Sequence, residues 1–234
     1  MDREEMKRRV AFHAVDTHVK DGMRVGLGTG STAVWAIRRI GEHMREGRLS
    51  GIVGVATSFA SEMEAHRLGI PVRSLNDPEI GGEVDLAIDG ADEVDPTLHL
   101  VKGGGGALFR EKLVAYNARR FVVVVEECKL VPHIGTGFPI PVEVVPEARA
   151  CVLKALEALG AEWTIRHGSG KQGPVVTDNG NLLVDVRFPA PVDPEEMEIR
   201  LGLIPGVYET GFFTRIRPTV CVGLPSGEVR TLGE

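Results

Sequence analysis

The sequence predicts an α/β protein built on a mostly parallel sheet, followed by a smaller α+β unit. Three observations carry this. In the first 130 residues, apolar runs such as IVGVA (52–56), VDLAI (84–88) and FVVVV (121–125) alternate with helical stretches. Continuous apolar strands of this length belong to a parallel sheet covered on both faces. Past Val131 the texture changes to VPHIGTGFPIPVEVVP, rich in Pro and Gly as a connection between domains is. A length of 234 residues suits one large domain or two small ones.

Each element follows from its local pattern. Residues 4–19 space Met6, Val10, Ala14 and Val15 along one helical face. Met23 to Leu27 is a short strand, and the glycines after it lead into a helix from Thr32 to Arg45. IVGVA is a buried strand, a helix begins near Ser58, and VDLAI is the next strand. LHLVK (98–102) is a candidate strand, and a helix over 107–118 leads into FVVVV. In the second half VEVV is a strand, 147–159 a helix and EWTIR a strand. VVTDNGNLLVDV reads as a hairpin turning at Asn179-Gly180, and Pro194 to Leu201 as a helix. GVYETGFF and TVCVGL are candidates to return to the first sheet.

Composition excludes several functions. Aromatic residues are scarce and the net charge is −6, so neither a base-stacking surface nor a basic face for nucleic acid is expected. The longest apolar runs fall far short of the ~20 residues of a membrane helix. MDREEMKRR lacks the apolar core of a signal peptide. Three cysteines without CxxC spacing indicate neither a disulfide frame nor a zinc knuckle. The expectation is a soluble, cytoplasmic protein without a membrane partner.

Three clusters carry the chemistry. GLGTGST, from Gly26 to Thr32, lies between a strand and a helix. Its N–H groups and the Ser31 and Thr32 hydroxyls offer an anion site. It is not a Walker A loop, and it is a poor dinucleotide fingerprint because Ser31 stands at the third glycine position. A tight turn without a ligand is the alternative. DGADEVD places Asp89, Asp92, Glu93 and Asp95 after a strand, where open parallel sheets bind ligands. A solvated acidic turn or a magnesium site are the other readings. KGGGGALFREK puts Lys102 before four glycines and Glu111 one turn into the next helix. Consecutive glycines are costly in backbone entropy and admit a ligand close to the main chain; a Gly-rich hairpin is the alternative. Lys129 falls at another strand's carboxyl end. The seven histidines are dispersed and none lies in a cluster, so no zinc or histidine-based nucleophile site is expected.

Together these clusters resemble ribose-5-phosphate isomerase type A, a cofactor-free family of the pentose phosphate pathway. Its TGST, DGAD and KGGG segments stand here as Thr29–Thr32, Asp89–Asp92 and Lys102–Gly105, followed by REK at 110–112. PVEVVP and VVTDNGN also look like that family, and the resemblance spans nearly the whole chain.

The resemblance implies a Rossmann-like domain over 1–130 plus 207–234 and a smaller ferredoxin-like α+β lid over 131–206. It implies isomerisation of D-ribose 5-phosphate to D-ribulose 5-phosphate through an enediolate, with no cofactor and no metal. Glu111 would be the general base, whose pKa a closed pocket can raise. Lys102 and the N–H groups of Gly103, Gly104 and Gly105 would stabilise the enediolate oxygen. Asp89 and Asp92, with Gly90 and Ala91 between them, would hold sugar hydroxyls and assist ring opening. Thr29, Gly30, Ser31, Thr32 and Lys129 would bind substrate, the phosphate near Ser31, Thr32 and Lys129, with Lys7 or Arg8 adding charge. The partners implied are a sugar phosphate and further copies of the chain, as a homodimer or homotetramer. A sugar-phosphate sensor would normally carry a DNA-binding module, for which this chain has no spare length. A sugar-phosphate deaminase or CoA transferase is the other rival.

Overall fold

The computed structural model describes residues 1–170 and 172–233. In chain order its elements are α1 (Arg3–His18), β1 (Arg24–Leu27), α2 (Ala33–Arg45), β2 (Val53–Ala56), α3 (Phe59–Arg67), β3 (Leu86–Asp89), β4 (Glu93–Val94) and β5 (Leu100–Val101). There follow α4 (Leu108–Tyr116), β6 (Phe121–Glu126), β7 (Ile140–Val144), α5 (Arg149–Ala158), β8 (Glu162–Ile165) and β9 (Leu182–Arg187). The last are α6 (Pro194–Gly202), β10 (Val207–Thr210), β11 (Phe212–Phe213), β12 (Thr219–Gly223) and β13 (Val229–Leu232).

By packing, the chain separates into two compact units. The first comprises 1–91, 110–129 and 216–234, the second 92–109 and 130–215. The second therefore also takes in 92–109, 130 and 207–215, which the sequence reading places with the larger domain. Strand pairing is the reason. β10 joins β7, and β11 pairs β5 antiparallel, so GVYETGFF does not return to the first sheet.

The first unit holds a six-stranded sheet in the order β13-β12-β6-β3-β1-β2. Every pairing is parallel except that of the edge strand β13. From β1 the chain goes outward to β2, then returns to place β3 on the other side of β1. The strand order thus reverses between β1 and β3, the position where open α/β sheets bind ligands at the strands' carboxyl ends. β6 is buried along its whole length, as its FVVVVE sequence requires. Helix α1 starts where Asp2 accepts the Glu5 N–H at 2.8 Å. Its Val10, Ala11, Ala14 and Val15 share a core with Ile37 and Ile40 of α2 and with Val122, Val124 and Cys221 of the sheet.

The second unit contains a four-stranded antiparallel sheet in the order β10-β7-β9-β8, with α5 after β7 and α6 after β9. This βαββαβ order is ferredoxin-like. Asp193 caps α6 by accepting the Glu195 and Glu196 N–H groups, and Pro194 opens the helix. A three-stranded sheet, β11-β5-β4, completes the unit. The expected hairpin at 175–186 is only partly formed: Val176 makes an isolated bridge to Leu182. The side chains of Thr177, Asn179 and Asn181 donate instead to the buried Glu143 carboxylate at 2.8–3.0 Å.

Among the described residues no helix is long and apolar enough to cross a membrane.

Candidate active site

The site residues expected from sequence fall into two groups. Thr29–Thr32, Asp89–Ala91, Glu111 and Lys129 belong to the first unit, whereas Asp92 and Lys102–Gly105 belong to the second. The Ala91–Asp92 peptide and α4 connect the groups along the chain.

In the first unit, Asp89 ends β3 and is buried. Its Oδ1 accepts the N–H of Thr29 at 3.0 Å and of Gly90 at 2.7 Å. The carboxylate lies against Gly28 so closely that a Cβ there would come 2.3 Å from Oδ1. This contact, not a dinucleotide, is what requires the second glycine of GLGTGST. Glu111, buried on α4, lines a narrow crevice together with Asp89, Gly26, Gly28 and Thr57. Two carboxylates therefore share one crevice at the reversal point of the sheet.

The rest of the loop divides by exposure. Gly30 and Ser31 are exposed, whereas Thr32 is buried with its hydroxyl 3.4 Å from Glu126 Oε2. Glu126 ends β6 and also takes Arg3 Nε at 2.7 Å. Lys129 follows, itself half-buried, in a 3-10 turn at the end of β6. Lys7 is buried with its ammonium 2.6 Å from Glu4, and Arg8 forks onto Glu5 with both contacts at 2.8 Å.

In the second unit, Asp92 Oδ2 accepts the Gly104 N–H at 2.7 Å. A Cβ on Gly104 would sit 2.5 Å from the same carboxylate, so this glycine serves a close approach within the protein. Arg166 buttresses the turn. It pairs with Asp185 at 2.9 and 2.5 Å and donates to the Gly103 and Gly104 carbonyls at 3.1 Å. Lys102 is 2% exposed, with its ammonium 5.6 Å from the centre of the Phe213 ring. Its N–H donates to Gly211 O at 2.9 Å.

The acidic run is not one cluster of charge. Glu93 accepts three N–H groups, from Gly135 at 2.5 Å, Gly137 at 2.8 Å and Phe138 at 2.6 Å. Asp95 accepts those of Thr97 and His99, both at 2.9 Å. Each carboxylate thus binds its own main-chain donors. Among the described residues no three His, Cys, Asp or Glu side chains converge to hold a metal.

Sequence reasoning missed Thr57, Ser58 and Ser61, whose hydroxyls gather on Thr29, and it missed Arg166 and Phe213. Only TSFAS after β2, with Ser58 capping α3, carried a signal, and it read as a helix start.

Residues 53–227 match the family model described as ribose 5-phosphate isomerase A (phosphoriboisomerase A). The ribose-5-phosphate isomerase A of Treponema denticola is 49% identical over 99% of this chain and 100% of its own length. That of Thermosynechococcus vestitus is 51% identical over 94% of this chain and 91% of its own. The solved ribose 5-phosphate isomerase A of Methanocaldococcus jannaschii superposes with a TM-score of 0.92, 47% identity and full coverage of both chains. A D-ribose-5-phosphate isomerase solved in complex with phospho-erythronic acid gives 0.95 and 44%, again over the whole of both chains. Family model, whole-length identity and superposition agree, and this chain belongs to the ribose 5-phosphate isomerase A family.

Proposed function

We propose that the chain interconverts D-ribose 5-phosphate and D-ribulose 5-phosphate, with Glu111 as the general base. What supports this is the whole-length similarity to ribose 5-phosphate isomerase A proteins, together with the burial of two carboxylates, Asp89 and Glu111, by the point where the sheet's strand order reverses. A relative binds phospho-erythronic acid, and the present chain is read as taking a phosphorylated sugar of similar length.

The sugar opens first. Asp89 accepts the proton of the anomeric hydroxyl as the C1–O4 bond breaks, and O4 takes a proton back. Asp92 holds a sugar hydroxyl. Glu111 then removes the C2 proton, the hydroxyl proton passes from O2 to O1, and Glu111 returns its proton to C1. Lys102 and the N–H groups of Gly103–Gly105 stabilise the negative oxygen of the enediolate. The exposed Gly30 and Ser31, with Thr32 and Lys129, receive the phosphate end. The family resemblance also supports a cytoplasmic location and assembly as a homodimer or homotetramer.

The test is incubation with ribose 5-phosphate in D2O, with deuterium expected at C1 of the product. E111Q should lower turnover by about 10²–10⁴ and largely keep substrate binding. Solvent exchange of the C2 hydrogen at the wild-type rate in E111Q would remove Glu111 from the mechanism.

A further inference from the structure

Four hydroxyls meet beneath the GLGTGST loop, and three of them belong to no motif described above. Thr29 Oγ1 lies 2.7 Å from Thr57 Oγ1, 2.8 Å from Ser58 Oγ and 3.0 Å from Ser61 Oγ. Ser58 and Ser61 are 2.9 Å apart. Two of the hydroxyls also reach carbonyls of the loop: Thr57 donates to Leu27 O at 3.0 Å and Ser61 to Gly28 O at 2.8 Å.

These six contacts share four hydroxyl protons. A hydroxyl has one proton to donate. With Thr57 and Ser61 committed to carbonyls, the Thr29 proton goes to another hydroxyl of the group, Ser58 or Thr57. The Thr29 hydroxyl is then spent inside the protein. So is its N–H, which donates to Asp89 Oδ1 at 3.0 Å.

We propose that Thr57, Ser58 and Ser61 are positioning residues, holding Thr29 so that its N–H fixes the rotation of the Asp89 carboxylate. Thr29 is accordingly not a donor to substrate. The hydroxyls tie the end of β1 to the turn after β2, and Gly28, pressed on Asp89, shares the same rigid loop. This rests on Asp89 acting in ring opening, as proposed above.

Ribulose 5-phosphate supplies the discriminating probe. Its 5-oxygen carries the phosphate, so it forms no furanose ring, and solvent exchange of its C1 hydrogen needs no ring step. Net isomerisation of ribose 5-phosphate needs one. Both rates are measured for wild type and for T29V, T29S, S61A and D89N, with thermal unfolding of each. T29V should lower the kcat of isomerisation about tenfold, the rate equivalent of one hydrogen bond, with C1 exchange and KM within about twofold of wild type. T29S should restore isomerisation, S61A should show a smaller split of the same sign, and D89N a larger one.

Isomerisation and exchange falling together in T29V would overturn the proposal, as would a raised KM with unchanged kcat or wild-type rates throughout. A split in D89N without one in T29V overturns this inference alone. No split in D89N overturns the ring-opening role of Asp89 itself. If T29V does not fold, S61A decides, and wild-type isomerisation in S61A refutes the proposal.

Discussion

Replacing Gly28 by alanine drives a methyl group into the Asp89 carboxylate. The new Cβ would lie 2.3 Å from Oδ1, 2.4 Å from Cγ and 2.5 Å from Ile88 O. Carbon and oxygen rest at about 3.3 Å, so the overlap is about 1 Å. The Ile88 carbonyl accepts the Gly28 N–H at 3.0 Å and is held by the pairing of β1 with β3. Asp89 is the softer partner. Moving it about 1 Å strains both of its N–H contacts, and overpacking of this kind costs about 1–3 kcal/mol. A displacement of that size in a reacting group costs about 10² in rate. The assay is kcat for ribose 5-phosphate on protein of measured Tm, beside G202A, where a new Cβ has nothing within 4 Å. G28A should be about a hundredfold slower and G202A unchanged. Wild-type turnover in folded G28A would refute the reasoning, for Asp89 would not need the position described.

Three further outcomes are expected. E93Q keeps the shape of a 2% exposed side chain but turns an amide NH2 toward main-chain donors, so it should cost about 2–4 kcal/mol and lower Tm by several degrees; an unchanged Tm would show the loop at 135–138 to be held by something else. The guanidiniums of Arg67 and Arg38 hold the Glu64 carboxyl down to about 2 from the ordinary 4.5. Its stabilisation is therefore complete above pH 4.5 and lost as pH falls toward 2. E64Q should be less stable by about 1 kcal/mol at neutral pH, since both arginines are largely exposed, and the two denaturation curves should converge in acid. A gap that stays constant with pH would count against the pairing. Exhaustive dialysis against EDTA should leave turnover intact, because the carboxylates of DGADEVD are directed to separate N–H donors; loss restored by Mg2+ would make that segment a metal site.

What could be read in advance depended on how far along the chain each cause lies. FVVVV announced a strand buried on both faces because its neighbours in sequence are its evidence, and β6 is such a strand. Asp95 finds its donors close by, on Thr97 and His99, although the acidic run was read only as a whole. The other carboxylates of the run reach further along the chain. Asp89 is bound by Thr29, 60 residues earlier, and Glu93 by N–H groups 42 to 45 residues later. The glycine of residue 28 is explained by Asp89 and the Ile88 carbonyl, both about 60 residues away. The Pro/Gly texture after Val131 suggested a connection, because composition reports backbone freedom; it does not report that Glu93 gathers three of those N–H groups. The GVYETGFF segment went astray similarly: it was expected to return to the first sheet, but nothing local says which sheet its strands join.

The interrupted course of the first unit has a consequence for its synthesis. Its sheet places β6 beside β12, which starts at Thr219, and the core of α1 includes Cys221 of that strand. When the ribosome has made the first 129 residues, β6 still lacks one of its two neighbours, and the apolar face of α1 lacks part of its seat. The antiparallel sheet of the second unit spans only Ile140–Thr210 and has all its strands earlier. At about 5–20 residues per second, the N-terminal half waits several seconds with an open, apolar strand edge. The nascent chain thus carries an open apolar strand edge while every strand of its middle antiparallel sheet is already made, and a message truncated before codon 219 lacks the strand that covers that edge.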